Sequence, residues 1–329
     1  MTPTALAGAG GAPGTSGASG AAGASAGAGG AAVGGAGGAG GASGAVGGAV
    51  VPTQVAGSDK YRLTFGDTIL EVDAATGARV SKLSLAGADL MVTSGTDATA
   101  WGSVFWTSPR SVWTPMTWPP PAAIDNARYS AAIAGTLLSF TGMADTAIGV
   151  SIAKEYSADA TSGWITIKYT INAIKAQKAA PWEVSRVPRG GIAFFPLGSS
   201  VTKGPLTISQ SMDTVWFDDA AKTAMSPDGD KLIADGASGW EAYAFGGNLF
   251  LKRFSDQPAS AQAPGEGEIC VYPGTSWIEF EVQGPYTQVA AGGSLPWQVQ
   301  WKVVKIPSTV SVAVGSASLL TFAQQQVAM

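Results

Sequence analysis

Apolar and polar side chains alternate along much of this chain with a period of two residues, and this constrains its fold more than any other feature. In residues 164–171 the Ile and Tyr side chains fall on one face and the Thr and Lys side chains on the other, as in a strand with one buried face. Strand-like runs recur at residues 61–65, 68–72, 80–85, 148–156, 182–187, 191–195, 241–245, 248–254, 277–282 and 297–306. Gly246-Gly247 permits a tight hairpin between two of them, and only residues 318–327 read as a helix. The pattern predicts an all-β sandwich of antiparallel sheets.

The N-terminal part of the chain differs in composition from the rest. No Asp, Glu, Lys or Arg precedes Asp59, and 19 of the 45 glycines fall within the first 50 positions. Gly, Ala and Ser bury too little side-chain area to offset the entropy lost when the backbone becomes ordered. We therefore predict a disordered Gly/Ala/Ser-rich linker over residues 1–57 and one β-sandwich domain over residues 58–329.

Charge and hydropathy restrict the partners and the location. The 19 basic residues are scattered among 23 acidic ones, whereas binding to nucleic-acid phosphates needs clustered Lys and Arg, so we expect no nucleic-acid partner. No segment after Asp59 has the roughly 20 apolar residues that cross a bilayer. A long uncharged spacer is typical of the region after a removed signal or lipid anchor. We therefore expect an extracellular, periplasmic or cell-surface location, with the signal or anchor missing from this sequence.

The absence of histidine restricts the chemistry most. It excludes Ser-His-Asp, His-metal and His-acid mechanisms and leaves proton transfer to carboxylates, Tyr, Lys or water. The single Cys270 excludes an internal disulfide and a thiolate metal cage, and between Ile269 and Val271 it is interpreted as a core residue. Asp228-Gly229-Asp230 lacks the further acidic ligands of a calcium loop and is interpreted as a turn. We predict no metal and no cofactor.

Two glutamates form the first candidate site. Glu279 and Glu281 are two residues apart in a strand-like run, so both should project from one face, roughly 7 Å apart. In a partly buried cleft, like charges raise one pKa, so one carboxyl could donate a proton while the other accepts one. The alternative is a solvent-facing polar edge opposite the core residues Ile278, Phe280 and Val282.

A second candidate site is the Trp- and Pro-rich segment 101–126, interpreted as a stiff loop. Flat aromatic faces suit the apolar faces of sugar rings, and charged or amide groups could bond hydroxyls. The predicted ligand-binding residues of this segment are Trp106, Arg110, Trp113, Trp118, Asp125 and Asn126. Alternatively, the rings cap the sandwich core.

Tyr286 is a further candidate for ligand binding, and so are Glu183 and Arg186. A regular strand would put them on opposite faces, and they could pair directly only if the strand bulged. Either could be a cleft residue, or both could be ordinary surface charges.

The same segments resemble a little-characterised bacterial family, classed as a domain of unknown function, in the galactose-mutarotase-like superfamily. The motifs are Trp101-Gly102-Ser103, Phe105-Trp106-Thr107-Ser108-Pro109, Trp118-Pro119-Pro120, Trp182-Glu183-Val184-Ser185-Arg186, Gly190-Gly191, Glu279-Phe280-Glu281-Val282-Gln283-Gly284-Pro285-Tyr286 and residues 297–301. The resemblance spans nearly all of residues 59–307 and implies a β-supersandwich with a sugar-sized groove on its concave sheet. In mutarotases a late-strand glutamate is the base and a histidine the acid. Glu281, or less well Glu279, lies where that base would fall, but this chain has no histidine to complete the pair.

Three hypotheses follow for the function. The first is an exported carbohydrate-binding domain whose partner is a saccharide or polysaccharide. The second is an aldose 1-epimerase-like or lyase-like enzyme that uses Glu281 as base, with Glu183, Tyr286 or Arg186 completing the site. The third is a structural or adhesive surface domain without a small ligand.

Overall fold

The computed structural model describes residues 48–113, 118–202, 206–220 and 231–329. Most of the predicted linker, and Asp228-Gly229-Asp230, lie outside these residues. The described secondary structure is nearly all β. In chain order the strands are β1 (Thr53–Gln54), β2 (Lys60–Phe65), β3 (Thr68–Asp73), β4 (Arg79–Leu85), β5 (Ala88–Asp89), β6 (Ser103–Ser108), β7 (Ser130–Ala134), β8 (Leu137–Thr141), β9 (Val150–Ala158), β10 (Ile165–Ala173), β11 (Gln177–Pro188), β12 (Ile192–Thr202), β13 (Ser209–Ser211), β14 (Thr214–Asp218), β15 (Leu232–Gly236), β16 (Trp240–Phe245), β17 (Asn248–Phe254), β18 (Ile269–Pro273), β19 (Trp277–Gln283), β20 (Thr287–Val289) and β21 (Ser294–Lys305). The α-helices are α1 (Ala122–Asp125) and α2 (Ala317–Ala328), and short 3-10 turns lie at Arg110–Val112 and Ala259–Ala261.

The strands form two antiparallel sheets that share β12. The first sheet runs β1-β2-β3-β4-β6-β11-β19-β18-β15 and ends on the second half of β12, with β5 paired to β4. The second sheet runs β7-β8-β9-β10-β21-β17-β16, then the first half of β12, then β14 and β13. β20 pairs with the start of β11. The predicted all-β sandwich is confirmed.

Aromatic side chains join the two sheets face to face. Phe105 of β6 stacks on Tyr169 of β10, with 4.1 Å between ring centroids. Phe280 of β19 lies 5.8 Å from Phe250 of β17. All four rings are buried, and each such ring removes about 150–250 Å² from water, so these contacts contribute strongly to the sandwich core. The other face of the first sheet is therefore left for a site.

Helix α2 covers a second apolar cluster that includes Trp216 of β14. Leu319 and Leu320 are its buried anchors, and the Ser316 hydroxyl caps the helix by accepting from the Leu319 backbone N–H at 3.3 Å. The helix predicted at residues 318–327 is confirmed. No helix in the described ranges is long and apolar enough to span a membrane.

Most predicted strands are present with small shifts of their ends. The predicted hairpin at Gly246-Gly247 joins β16 to β17, and both glycines have positive φ, +57° and +74°. The interpretation of the Trp-rich segment as a loop is corrected for Ser103–Ser108, which forms β6 in the middle of the first sheet. All six residues of β6 are buried, so this strand shows no alternation that could reveal it.

The sheet also includes residues before residue 58. Val50 is 5% exposed, and Thr53–Gln54 pairs with Tyr61 and Arg62 of β2. Apolar Val50 and the extended pair that follows belong to the sheet edge, so the start of the domain lies within the segment predicted as linker.

Candidate functional site

A cavity of about 760 Å³ lies on the face of the first sheet that is turned away from the second sheet. Its size falls within the roughly 300–1,000 Å³ typical of ligand sites. It is lined by Arg79, Thr99, Ala100, Trp106, Arg110, Trp118, Pro119, Pro120, Asp125, Trp182, Arg186, Lys231, Tyr272, Trp277 and Glu279. Six of the residues predicted from the sequence are among them: Trp106, Arg110, Trp118, Asp125, Arg186 and Glu279.

The regular pleat of β11 decides which of its side chains reach the cavity. Trp182 and Arg186 line the cavity, whereas Glu183 points into the sandwich interior. There the Glu183 carboxylate accepts from the Tyr169 hydroxyl at 2.8 Å and lies 3.0 Å from Lys252 Nζ. The strand does not bulge, so Glu183 and Arg186 lie on opposite faces as predicted. Glu183, predicted as a ligand-binding residue, instead belongs to a fully buried ionic cluster.

Glu279 and Glu281 share one face of β19, as their spacing predicts. Glu279 Oε1 accepts from Arg186 Nε at 3.1 Å and from Arg186 Nη2 at 2.9 Å. Glu281 Oε2 accepts from Trp182 Nε1 at 2.6 Å, and its Oε1 lies 3.4 Å from Lys231 Nζ. Glu279 is 8% exposed and lines the cavity, while Glu281 is fully buried and is not among the lining residues. The pair is therefore not a solvent-facing edge, and Glu279 is the carboxyl that a ligand can reach.

Burial changes the proton affinity of this cluster. It raises the pKa of Glu279 above its ordinary value, although Arg186 opposes the shift. Burial disfavours the charge of Lys231, but the neighbouring acidic groups, with Cys270 and Glu281 first among them, raise its pKa well above its ordinary value. Glu279 can consequently exchange a proton at higher pH than a free glutamate.

The Trp-rich segment supplies the opposite wall. Asp125, at the end of α1, accepts on Oδ1 from Trp106 Nε1 and from Arg79 Nη2, both at 3.1 Å. Trp118 meets the Trp106 ring edge-on at 5.6 Å between centroids and is 60% exposed. Gly77 lets α1 approach β4 this closely: its φ is +66°, and a Cβ there would lie 1.9 Å from the Asp125 carbonyl oxygen.

Three other predicted ligand-binding residues lie away from the cavity lining. Trp113 is 2% exposed and donates its indole N–H to the Thr107 carbonyl oxygen at 3.0 Å, as the core alternative expected. Asn126 is exposed at the end of α1. The Tyr286 ring lies beneath Lys178 Nζ, 5.5 Å from its centroid.

Cations and indole rings are interleaved in the cavity. The Arg186 guanidinium lies 5.5 Å from the Trp106 ring centroid and 5.8 Å from that of Trp277. Lys231 Nζ lies 5.5 Å from the Trp182 ring. Contacts at these distances are electrostatically attractive, so they hold the rings and the cations in place together.

A loop before β6 is tied to the turn that precedes β19. Asp97 Oδ1 accepts from the backbone N–H groups of Thr99 and Ala100, at 3.0 and 2.9 Å. Its Oδ2 accepts from Ser276 Oγ at 3.0 Å and from Trp277 Nε1 at 3.1 Å. These bonds, with that of the Ala100 N–H first, lower the pKa of Asp97. Asp97 thus positions three lining residues without lining the cavity itself.

Several lining residues were not predicted from the sequence. Trp277 could have been found, because the alternation that links Glu279 and Glu281 extends back to it. Arg79 could have been found in the same way. If the strand predicted to begin at Val80 is extended by one residue, Arg79 falls on the face opposite to the core side chain of Val80. No local pattern singles out Lys231 or the residues around it.

Comparison with known proteins gives structural matches at low sequence identity. No protein-family model matches the sequence, and no curated protein is significantly similar to it. A protein from Escherichia coli K12 described as a "putative aldose 1-epimerase" has a TM-score of 0.52 and 10% identity, and the match covers 76% of this chain and 100% of that one. A galactose mutarotase related enzyme from Lactobacillus acidophilus has a TM-score of 0.51 and 10% identity, covering 78% of this chain and 100% of that one. A TPR-domain containing protein from Parabacteroides distasonis has a TM-score of 0.52 and 13% identity, covering 77% of this chain and 48% of that one.

Likeness at such identity shows the fold alone. The described domain therefore has the galactose-mutarotase-like β-sandwich fold that the resemblance of its motifs implied.

Proposed function

We propose that the domain binds a saccharide in the tryptophan-lined cavity. One observation carries this proposal: three of its four lining tryptophans, Trp106, Trp182 and Trp277, donate their indole N–H groups to carboxylates of the protein. The rings are thereby held in fixed orientations and offer the cavity only carbon surface. Rigid aromatic surface beside charged groups suits a ring with apolar faces and a rim of hydroxyls.

The family assignment and the location are further parts of the proposal. The galactose-mutarotase-like fold supports a role in sugar binding or processing, and the motifs resemble the little-characterised bacterial family named above. We also propose that the protein is exported, because the chain before Asp59 is an uncharged Gly/Ala-rich spacer.

An enzymatic role is the second candidate, and Glu279 favours it. Its carboxyl lines the cavity, and burial raises its pKa above the ordinary value of a glutamate, the direction that a proton-exchanging group needs. Glu281, first expected as the base, is shielded beneath Trp182, so Glu279 is the stronger candidate. Without histidine the second proton-transfer group would have to be a carboxyl, tyrosine, lysine or water, and losing a positioned acid costs a factor of about 10² to 10⁴.

A glycan array and polarimetry with the full chain separate these functions. The array should show retention of a defined saccharide class, and fresh α-galactose and α-galacturonic acid should change optical rotation at the uncatalysed rate. Fast rotation change that is abolished by Glu279→Gln but kept by Glu155→Gln, an exposed matched control, would establish the enzyme instead. If the array shows no retention and polarimetry shows no turnover, saccharide binding is overturned and a structural or adhesive role remains.

A further inference from the structure

The cavity is lined by more cationic than anionic side chains, although the chain as a whole has a negative net charge. The protein carries a formal net charge of −4, with 23 acidic and 19 basic residues. Yet four cationic side chains line this cavity, Arg79, Arg110, Arg186 and Lys231, against the two carboxylates of Asp125 and Glu279. A concave site with low-dielectric walls focuses such an excess on its ligand.

Three of the four cations already have a carboxylate partner. Arg79 pairs with Asp125 at 3.1 Å and Arg186 with Glu279 at 2.9 Å. Lys231 pairs with the buried carboxylate of Glu281, at 3.4 Å. No described carboxylate forms an ion pair with Arg110, although the Glu266 carboxyl is near enough to interact with it electrostatically. Arg110 is exposed and lies two residues after the end of β6. It can therefore bind an anion without first breaking an ion pair within the protein.

The remaining donors point to the same ligand chemistry. The indole N–H groups of Trp106, Trp182 and Trp277 are bonded within the protein. Strong hydrogen-bond donation to a ligand must therefore come mainly from guanidinium and ammonium groups. A guanidinium is a planar fork that binds a carboxylate through two parallel hydrogen bonds. One unpaired guanidinium matches one singly charged group.

We propose, resting on saccharide binding in this cavity, that the ligand is an acidic saccharide whose uronate carboxylate binds Arg110 while its ring lies against the tryptophans. A hexuronic acid combines the two features: an apolar ring face and a single negative charge at its edge.

Titration calorimetry with the full chain tests the assignment, using trigalacturonate and its fully methyl-esterified form, which differ only in charge and three methyl groups. The acid should bind about tenfold more tightly, as expected for one charge-assisted bond. The preference should shrink when salt rises from about 50 to 500 mM, because exposed charges are then screened. Arg110→Gln should abolish the preference by lowering the affinity for the acid to about that for the ester, whereas the matched control Arg62→Gln, whose residue does not line the cavity, should keep the preference.

Each other outcome overturns a definite part of the account. Equal affinity for acid and ester would overturn the acidic ligand while saccharide binding stands. Tighter binding of galactose 6-phosphate than of trigalacturonate would replace the carboxylate by a phosphate. If neither trigalacturonate form binds and the glycan array is also blank, saccharide binding itself fails.

Discussion

At the scale of single residues, the site depends on buried carboxylates that hold other side chains rather than face solvent. Glu281 fixes Trp182, Asp125 fixes Trp106, and each of these carboxylates is also close to a cation. A buried carboxylate is stable only when it is paired in this way. The polar groups of the cavity are therefore preorganised, which lowers the entropy lost when a ligand binds.

The exposed Trp118 separates binding from folding. Trp118→Ala should lower saccharide affinity several-fold to tenfold, because one aromatic contact is lost, and should change the free energy of unfolding by less than about 0.5 kcal/mol. Trp106→Ala, at 2% exposure, should instead destabilise the protein by about 3–5 kcal/mol. Calorimetric titration and denaturant unfolding measure both effects, with Met143→Ala, also 60% exposed, as control. Unchanged affinity in Trp118→Ala would remove this ring from the site.

A buried carboxyl outside the cavity should make stability depend on pH. Burial, with Asp256 next, raises the pKa of Glu268 to about 8 from an ordinary value of 4.5. Between these values the folded state keeps a proton that the unfolded state loses, so rising pH destabilises the protein, by at most about 1.4 kcal/mol per unit. Glu268→Gln mimics the protonated form and removes this dependence. Its advantage over wild type in urea unfolding should grow from pH 5 to pH 8; parallel profiles would contradict the shift.

The sequence predicts single residues only where a local pattern carries them. Glu279 and Trp106 stand out because one belongs to an alternating run and the other to a cluster of rings. Glu183 and Arg186 are both charged residues of one strand-like run, and the sequence does not show which of them faces the cavity. Only the pairing of β11 shows that Glu183 faces the other sheet. Lys231 meets Glu281 from 50 residues away in the chain, and such a contact leaves no trace in either segment.

At the scale of elements, half-buried strands were predictable and fully buried or short ones were not. β10 alternates buried and less buried residues along its length, which is the period-two pattern of the sequence. β6 is buried on both faces and β20 has only three residues, so neither shows a period. The cavity wall built on β6 was consequently interpreted as a loop.

The loop held by Asp97 should control affinity without controlling the fold. In Asp97→Asn the Oδ1 acceptor remains for the backbone N–H groups of Thr99 and Ala100, but an amide NH₂ then faces the Trp277 N–H, donor against donor. Without that bond Trp277 is free to leave its position, and a ligand would have to restore it at up to the roughly 1–2 kcal/mol that the bond contributes, so saccharide affinity should fall by up to about thirtyfold.

The matched control is Asp159→Asn, in a loop where Asp159 Oδ1 accepts from the Thr161 backbone N–H at 2.9 Å and Oδ2 from Ser162 Oγ at 2.9 Å. Asp159 does not line the cavity, so this substitution should lower the melting temperature slightly and leave affinity unchanged. Equal affinity loss in both variants would show that Asp97 has no special role.

At the scale of the whole molecule, the two sheets have different roles in the core and in the site. The inner faces hold the aromatic core, and the outer face of the first sheet carries the cavity. The predicted linker contributes almost no apolar side-chain area, while the domain after it holds every tryptophan and phenylalanine. Composition alone therefore predicts a boundary between linker and domain near Asp59, but it gives no sign of the buried Val50, which lies within the uncharged region.

Two deletions locate the start of the domain. Removing residues 1–47 should leave the melting temperature nearly unchanged, because Gly, Ala and Ser bury little area. Removing residues 1–55 also deletes buried Val50 and β1, so it should lower the melting temperature by several degrees. Differential scanning calorimetry checks both; equal melting temperatures for the two deletions would show that β1 adds nothing to the fold.

The most direct test of the account is a crystal structure of the full chain with the saccharide that a glycan array selects. A sugar ring should lie in the cavity, in van der Waals contact with Trp106, Trp182 or Trp277 and within hydrogen-bond distance of a lining arginine. A saccharide bound at full occupancy elsewhere on the surface, with this cavity holding only water, would contradict it.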